Sequence, residues 1–253
     1  MSKKDAMKKE KAMYIYVVVT EKDTYYAGHH GHFLHDAVKF EQITGERCLM
    51  VPFHEFNMQT VNEYNPRAIF VSGFHQNFQN LDIASFYGLN DVYHNAEVPI
   101  FGICGGHQLM ASCYNHDITK LERLYDEPIQ RVNPEEADGP YYYIDSTYFY
   151  TANGFYSLKK MKEDPLFHNL PETMVMACFH YAEVKKLPDE FELIASTKHC
   201  KIEAMKHKTK PLYGTQFHPE RYEGSYMDGK KMLENFAKIV DDYWGQKHKK
   251  LKE

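Results

Sequence analysis

Apolar runs and amphipathic stretches alternate along this chain. Met13–Thr20 is almost continuously apolar, as a strand buried on both faces requires, and is the first predicted strand. Phe33, Ala37, Phe40 and Ile43 recur at helical spacing, so Phe33–Thr44 is a predicted helix with Gly45 as its stop. Cys48–Phe53 and Arg67–Gly73 are predicted strands, and Leu81–Asn95 a predicted helix. Val98–Ile103 is apolar apart from Pro99 and Gly102, which suits a buried strand. From His107 onward, Leu109, Met110 and Ala111 suit a helix with a packed face. Asn115–Pro140 is polar and weakly patterned; it is expected to cover a site or form an edge ribbon. Tyr141–Tyr150 is aromatic and β-prone. An edge hairpin is the expectation there, with a partner or substrate surface as the alternative.

Phe191–Ser196, Lys201–Lys206 and Pro211–Phe217 are further predicted strands. Gly229–Trp244 reads as a closing helix, with Met232, Leu233, Phe236, Ala237, Val240 and Tyr243 on one face. At 253 residues one large domain or two small ones are possible, with a tail expected at 1–12 and a charged tail at 246–253.

Composition removes several classes of function. A net charge of -5 gives no basis for a nucleic-acid surface. No apolar run approaches membrane-spanning length. Tyr14–Val19 is too short for the core of a signal peptide. The five cysteines (48, 104, 113, 178 and 200) are odd in number and scattered without CxxC spacing, which argues against a disulfide framework. A reducing cytoplasm is the expected setting, and a thiolate nucleophile needs one. The loop Glu21–Phe33 follows the first strand, at the edge where α/β proteins place ligands. Its His29, His30 and His32 match no standard zinc spacing, so no metal is assigned. The loop reads either as a substrate-contacting aromatic segment or as ordinary surface. No nucleotide-binding fingerprint occurs and no cofactor is expected.

The candidate chemistry lies at two places. Cys104 falls at the junction between the Val98–Ile103 strand and the helix after it, as in a nucleophile elbow. Gly102, Gly105 and Gly106 remove bulk around it so that the turn can close. The helix N-terminus there favours a negative sulfur, and the amide of Gly105 could donate to an oxyanion. Gln108, one helical turn on, could share the pocket. Far along the chain, His218 and Glu220 flank Pro219. The proline pushes His218 into extended geometry, where residues i and i+2 point to one side. A carboxylate can then hold the imidazole while its other nitrogen faces a thiol.

Gly102-x-Cys104-x-Gly106-x-Gln108, together with Gly214-x-Gln216-x-His218-Pro219-Glu220, resembles the class I glutamine amidotransferase superfamily, which includes γ-glutamyl peptidases and hydrolases. The resemblance covers roughly Tyr14 to Trp244 and implies a single domain over residues 13–245. It implies a flavodoxin-like α/β fold, with a mostly parallel central sheet and helices on both faces. It also implies a Cys-His-Glu triad that hydrolyses a γ-glutamyl amide through a γ-glutamyl thioester. Cys104 would be the nucleophile, His218 the acid/base and Glu220 the orienting carboxylate.

Asp164–Pro171 resembles the short segment that the family places before its final strands. Gly73 matches the family's oxyanion loop, but Phe74 and His75 stand where the following glycine and proline are usual. Thr173–Val184 resembles the family's strand ending in a Ser-His-Gly-Asp-like turn; His180 matches its histidine, either as a substrate contact or as a hydrogen-bonded turn histidine, and Phe179 replaces the serine. Both departures lean towards a substrate other than plain glutamine. Three readings stay open. An amidotransferase would release ammonia to a synthetase partner in trans. A γ-glutamyl peptidase or hydrolase would need no partner. A binding or regulatory protein would use the scaffold without catalysis. A serine-hydrolase-like fold with a cysteine nucleophile is disfavoured by Glu220, two residues after the histidine.

Overall fold

Every side chain from Tyr14 to Val19 is buried, so β1 (Met13–Val19) needs partners on both edges and cover on both faces. The computed structural model describes residues 13–28, 31–74, 76–133, 135, 140–144 and 146–250. The tail expected at 1–12, and His29, His30 and His75, lie outside the described residues.

After β1 the chain forms a short helix, α1 (Lys22–Tyr26), within the stretch expected to be loop. Helix α2 (Gly31–Thr44) follows and buries Phe33, Asp36, Ala37 and Phe40. Strand β2 (Arg47–Pro52) precedes α3 (Met58–Tyr64), whose cap is Asn57; its side chain accepts from the amides of Gln59 and Thr60. Strand β3 (Ala68–Phe74) comes next. The single helix expected over Leu81–Asn95 is instead a 3-10 turn at Ile83–Phe86, capped by Asp82, followed by α4 (Tyr87–Asn95). Asp82 accepts from the amide of Ala84 and so begins the tighter turn.

Strand β4 (Ile100–Ile103) leads into α5 (Gly105–Asn115). Beyond the polar stretch, β5 (Tyr141–Ile144) and β6 (Thr147–Tyr150) pair as an antiparallel ribbon outside the main sheet. The remaining strands are β7 (Ala152–Lys160), β8 (Thr173–His180), β9 (Phe191–Ser196), β10 (Ala204–His207) and β11 (Leu212–Thr215). Helix α6 (Asp228–Lys250) closes the chain and runs past Trp244, through the start of the expected charged tail.

Among the described residues the main sheet has nine strands, in the order β2-β1-β3-β4-β11-β10-β9-β7-β8. The first five are mutually parallel, in the flavodoxin-like order 2-1-3-4-5. From β11 outward every pairing is antiparallel. The structure is thus a mixed α/β sheet flanked by helices, with α2 and α6 packed together on one face and α4 and α5 on the other. Phe70 of β3 anchors the first of these layers. Its ring stacks 4.0 Å from Phe40 of α2 and lies 5.4 Å from Phe236 of α6. The Trp244 indole donates to the Arg67 carbonyl at 2.8 Å and fixes the far end of α6 beneath the sheet. This packing holds β4 rigidly between β3 and β11, with its carboxyl end free to present a side chain.

Candidate active site

Cys104 stands at that carboxyl end in a left-handed backbone conformation, φ 49° and ψ -104°. For a residue with a Cβ this is strained and has to be imposed by its surroundings. The Cys104 amide donates to the Thr215 carbonyl of β11 at 2.7 Å, and its carbonyl accepts from Gln108 at 3.0 Å, so strand and helix pin it from both sides. Two glycines let the turn close. A Cβ on Gly102 would lie 2.8 Å from the Gly106 backbone, and one on Gly106 would lie 2.7 Å from the Val71 carbonyl oxygen. The elbow predicted from the glycine pattern is present.

His218 reaches the same place from the end of β11. Its amide donates to the Ala177 carbonyl of β8 at 2.8 Å. Its backbone, φ -109° and ψ 85°, falls short of the extended geometry expected ahead of a proline, and Pro219–Arg221 forms a 3-10 turn, so it is that turn that brings Glu220 back onto the imidazole. Nδ1 lies 2.7 Å from Glu220 Oε1. The other ring nitrogen, Nε2, is left for Cys104, and the ring and the cysteine side chain both border Gly73. Burial opposes a charge on His218, but the Glu220 carboxylate, then Cys104, outweigh it and hold the pKa up at about 10. Burial likewise pushes Glu220 upward, yet the His218 charge, with Arg221 adding to it, lowers its pKa. The two form an ion pair beside the sulfur, with Glu220 buried and His218 part-buried.

Behind this pair lies a layer that the sequence pattern does not reveal. The Arg221 guanidinium bridges Glu220 at 3.5 Å and Asp36 of α2 at 3.2 Å. Lys39 donates to the Glu220 carbonyl at 2.6 Å. Asp36 is buried; burial first, then the Glu220 charge, raise its pKa to about 7 against the pull of Arg221. Gln216, part of the second motif but given no role from sequence, is a further site residue just past the end of β11. It is fully buried, and its Nε2 lies 3.5 Å from Cys104 Sγ. Gln108 holds it in turn, donating to Gln216 Oε1 at 3.0 Å and to the Ala182 carbonyl at 3.2 Å.

The other predicted site residues divide. Gly73 sits against both catalytic candidates: a Cβ there would be 3.1 Å from His218 Cε1 and 3.4 Å from Cys104 Cβ. Gly105 opens α5, so its amide belongs to the helix's unpaired N-terminal donors. Phe74 lies against Gly105, whose absent Cβ would be 2.4 Å from the ring, and Phe78 and Phe86 hold Phe74 from behind. Phe179 is exposed, with its ring 6.0 Å from that of His218. His180 borders the site but is buried. Its Nδ1 lies 3.1 Å from the Ala182 carbonyl oxygen and its Nε2 4.0 Å from Glu203 Oε2. Burial lowers the His180 pKa to about 4 and raises that of Glu203 to about 8.

Cys104, Phe74 and Phe179 separate two cavities. One, of about 690 Å³, opens on the side of His218, Glu220 and Arg221 and reaches His32 and His35 of α2. The other, of about 190 Å³, lies on the side of Gly105 and Gln108. Asp126, from the polar stretch expected to cover a site, and Tyr142 of the β5–β6 ribbon line this smaller cavity. All five cysteines are free. Among the described residues no helix is long and apolar enough to cross a membrane.

Comparison with known proteins fits this geometry. Two crystal structures share the fold at low identity. A candidate GMP synthase component from Thermoplasma acidophilum superimposes with a TM-score of 0.67 at 22% identity, covering 94% of this chain and 98% of that one. The glutaminase domain of Trypanosoma brucei CTPS, with bound acivicin, gives 0.64 at 14% identity, covering 91% and 94%. In sequence, a component of glutamine-hydrolyzing GMP synthase from Methanocaldococcus jannaschii is 37% identical over 158 residues, 62% of this chain and 69% of that protein. The protein of the same name from Methanothermobacter thermautotrophicus is 29% identical over 212 residues, 84% and 93% of the two chains. The family model for class-I glutamine amidotransferases matches residues 42–240, most of the chain including both motifs, and the protein belongs to that family.

Proposed function

We propose that the protein hydrolyses the side-chain amide of glutamine with Cys104 as nucleophile, and passes the ammonia to a separate synthetase chain. Relatives named as components of glutamine-hydrolyzing GMP synthase support the choice of glutamine, and their name points to a GMP-forming synthetase as the partner. The observation that carries the reading is the line Cys104–His218–Glu220, closed by the 2.7 Å contact of imidazole and carboxylate.

One proton is shared between the sulfur and His218. With that proton on His218, the thiolate attacks the γ-carbonyl carbon and forms the C–S bond. Backbone amides at Gly105 and beside Gly73 receive the oxyanion; such a donor is typically worth about 3–4 kcal/mol. As the C–N bond breaks, His218 gives its proton to the leaving nitrogen, and ammonia departs from a γ-glutamyl thioester. His218 then takes a proton from water, whose oxygen attacks the thioester and releases glutamate and the thiol. Glu220 holds the ring and balances its charge throughout. Arg221 and Asp36 hold Glu220. Gln216 steadies the sulfur and is itself held by Gln108.

Because His218 must protonate the leaving nitrogen, that nitrogen faces the 690 Å³ cavity and the glutamyl part occupies the smaller one. The same asymmetry favours a second reading, hydrolysis of a γ-glutamyl amide with a bulkier amine, since ammonia needs little of that space. Phe74 and Phe179 in place of small residues beside the sulfur lean the same way. Incubation of the isolated protein with glutamine and a panel of γ-glutamyl amines, with Cys104→Ala as control, separates the two. Glutamate release from glutamine alone, stimulated by a synthetase, supports the amidotransferase. Preference for the larger amines without a partner supports the peptidase. Release that survives Cys104→Ala overturns both.

A further inference from the structure

A second cysteine, histidine and glutamate meet in the antiparallel half of the sheet, away from the line at Cys104. Cys178 and His180 share the inner face of β8, two residues apart, while Phe179 between them points outward. Glu203 stands just before β10. One ligand atom from each lies within 4.8 Å of the others, and all three residues are buried. Two of these atoms lack partners: His180 Nε2 and Glu203 Oε2 make no hydrogen bond, although both side chains are only 2% exposed. They face each other at 4.0 Å, too far for a direct hydrogen bond. Two buried acceptor positions left open in this way are costly unless something is placed between them.

From this arrangement we propose that Cys178, His180 and Glu203 form a binding site for a divalent cation of the zinc type. The donor set is sulfur, imidazole nitrogen and carboxylate oxygen, which suits a borderline-soft ion. A thiolate and a carboxylate supply two negative charges, which a divalent ion neutralises inside the protein. The outer contacts are already in place. Nδ1 of His180 donates to the Ala182 carbonyl at 3.1 Å, which fixes the tautomer and leaves the Nε2 lone pair aimed into the cluster. Thr197 donates to Glu203 Oε1 at 2.9 Å and leaves Oε2 for the ion. In a tetrahedral zinc site adjacent ligand atoms are about 3.3–3.8 Å apart, so the 4.0 Å gap, and separations of up to 4.8 Å within the group, have to close by up to ~1–1.5 Å. A cavity of about 130 Å³, bordered by the same three residues and Cys200, leaves room for a water in the fourth position. Binding releases to solvent the thiol proton and the proton that burial keeps on the Glu203 carboxyl, and it ties β8 to the segment leading into β10. Glu203 is also linked to the nucleophile: its carbonyl accepts from the Gln216 amide at 2.7 Å, and the Gln216 side chain touches Cys104. The site stands independently of the proposed reaction.

Titration of chelator-treated protein with Co(II), followed by absorbance, tests the site, with Zn(II) competition giving the affinity. The expected result is one equivalent bound, with a near-ultraviolet thiolate-to-cobalt band and the visible bands of a tetrahedral ion. Cys104→Ser should retain the band. Cys178→Ser should abolish it, and the near-isosteric Glu203→Gln should weaken Zn(II) binding by more than the ~10–100-fold that loss of an indirect contact costs. Zn(II) should also raise the thermal midpoint of the wild type, and not that of Glu203→Gln. Absence of saturable binding by the wild type overturns the proposal. A band lost in Cys104→Ser but kept in Cys178→Ser also overturns it, by placing the ion on the nucleophile.

Discussion

Two groups of cysteine, histidine and glutamate share this sheet, and they differ in reach and in charge. At Cys104, imidazole and carboxylate touch at 2.7 Å, Arg221 backs the carboxylate, and the histidine pKa is raised to about 10. At Cys178 the corresponding atoms stand 4.0 Å apart, and burial lowers the histidine to about 4 while raising the glutamate to about 8. The first group is an ion pair facing a large cavity; the second is a neutral, enclosed set with open lone pairs. Residue type alone does not decide between them. The first cysteine sits on a strained elbow at the end of a parallel strand, where a side chain is pushed clear of the backbone. The second lies in regular antiparallel strand, with its sulfur turned into the interior.

Substitution of the two cysteines should break this comparison most sharply. Cys104→Ala should reduce glutamate release at least ~10,000-fold, while Cys178→Ala should cost far less in the same assay. Glu220→Gln comes next, with a loss of about 100- to 10,000-fold in kcat. It also has a signature in pH. The Glu220 charge holds the His218 pKa up, so its removal should move the alkaline limb of Cys104 alkylation to lower pH. An unmoved limb would mean that Glu220 does not set the His218 charge.

The elbow itself can be tested by Gly106→Ala. The new Cβ meets the Val71 carbonyl, so the substitution should cost ~1–3 kcal/mol in urea unfolding and reduce activity through the displaced sulfur. The smallest effect concerns Asp36. Its folded pKa, about 7, stands above the ordinary 3.8, so its carboxyl favours the fold fully below 3.8 and loses that contribution as pH rises through about 7. Asp36→Asn should therefore flatten the stability profile between pH 4 and 7.5 by ~1–2 kcal/mol, discounted for the partly exposed Arg221.

Much of the site-bearing half of the fold is legible in the sequence, because each element there carries its own pattern. β1 is apolar throughout, α2 has its buried stripe, and the glycines around Cys104 announce the elbow. The antiparallel half is harder to read. β7 has no clear signal: along its length buried and exposed positions follow no clean alternation, and Gly154 takes a positive φ of 131° in mid-strand. Its position is set by pairing with β8, a non-local effect. α3 is hidden for a related reason, since only Val61 is buried and the Asn57 cap does much of the holding. In the site, Cys104, His218 and Glu220 are readable from local spacing. Asp36 and Lys39 are not, because they reach Arg221 and Glu220 across 185 and 181 positions. The Cys178 group is concealed likewise: strand alternation explains Cys178 and His180, but Glu203 joins them only through the sheet.

The most direct measurement is to treat the isolated wild-type protein with a glutamine-analogue electrophile and map the adduct by peptide mass spectrometry. The predicted result is a single adduct on Cys104, suppressed by excess glutamine, with Cys178 unmodified. An unlabelled Cys104, or modification at Cys178 instead, would contradict the assignment of Cys104 as nucleophile.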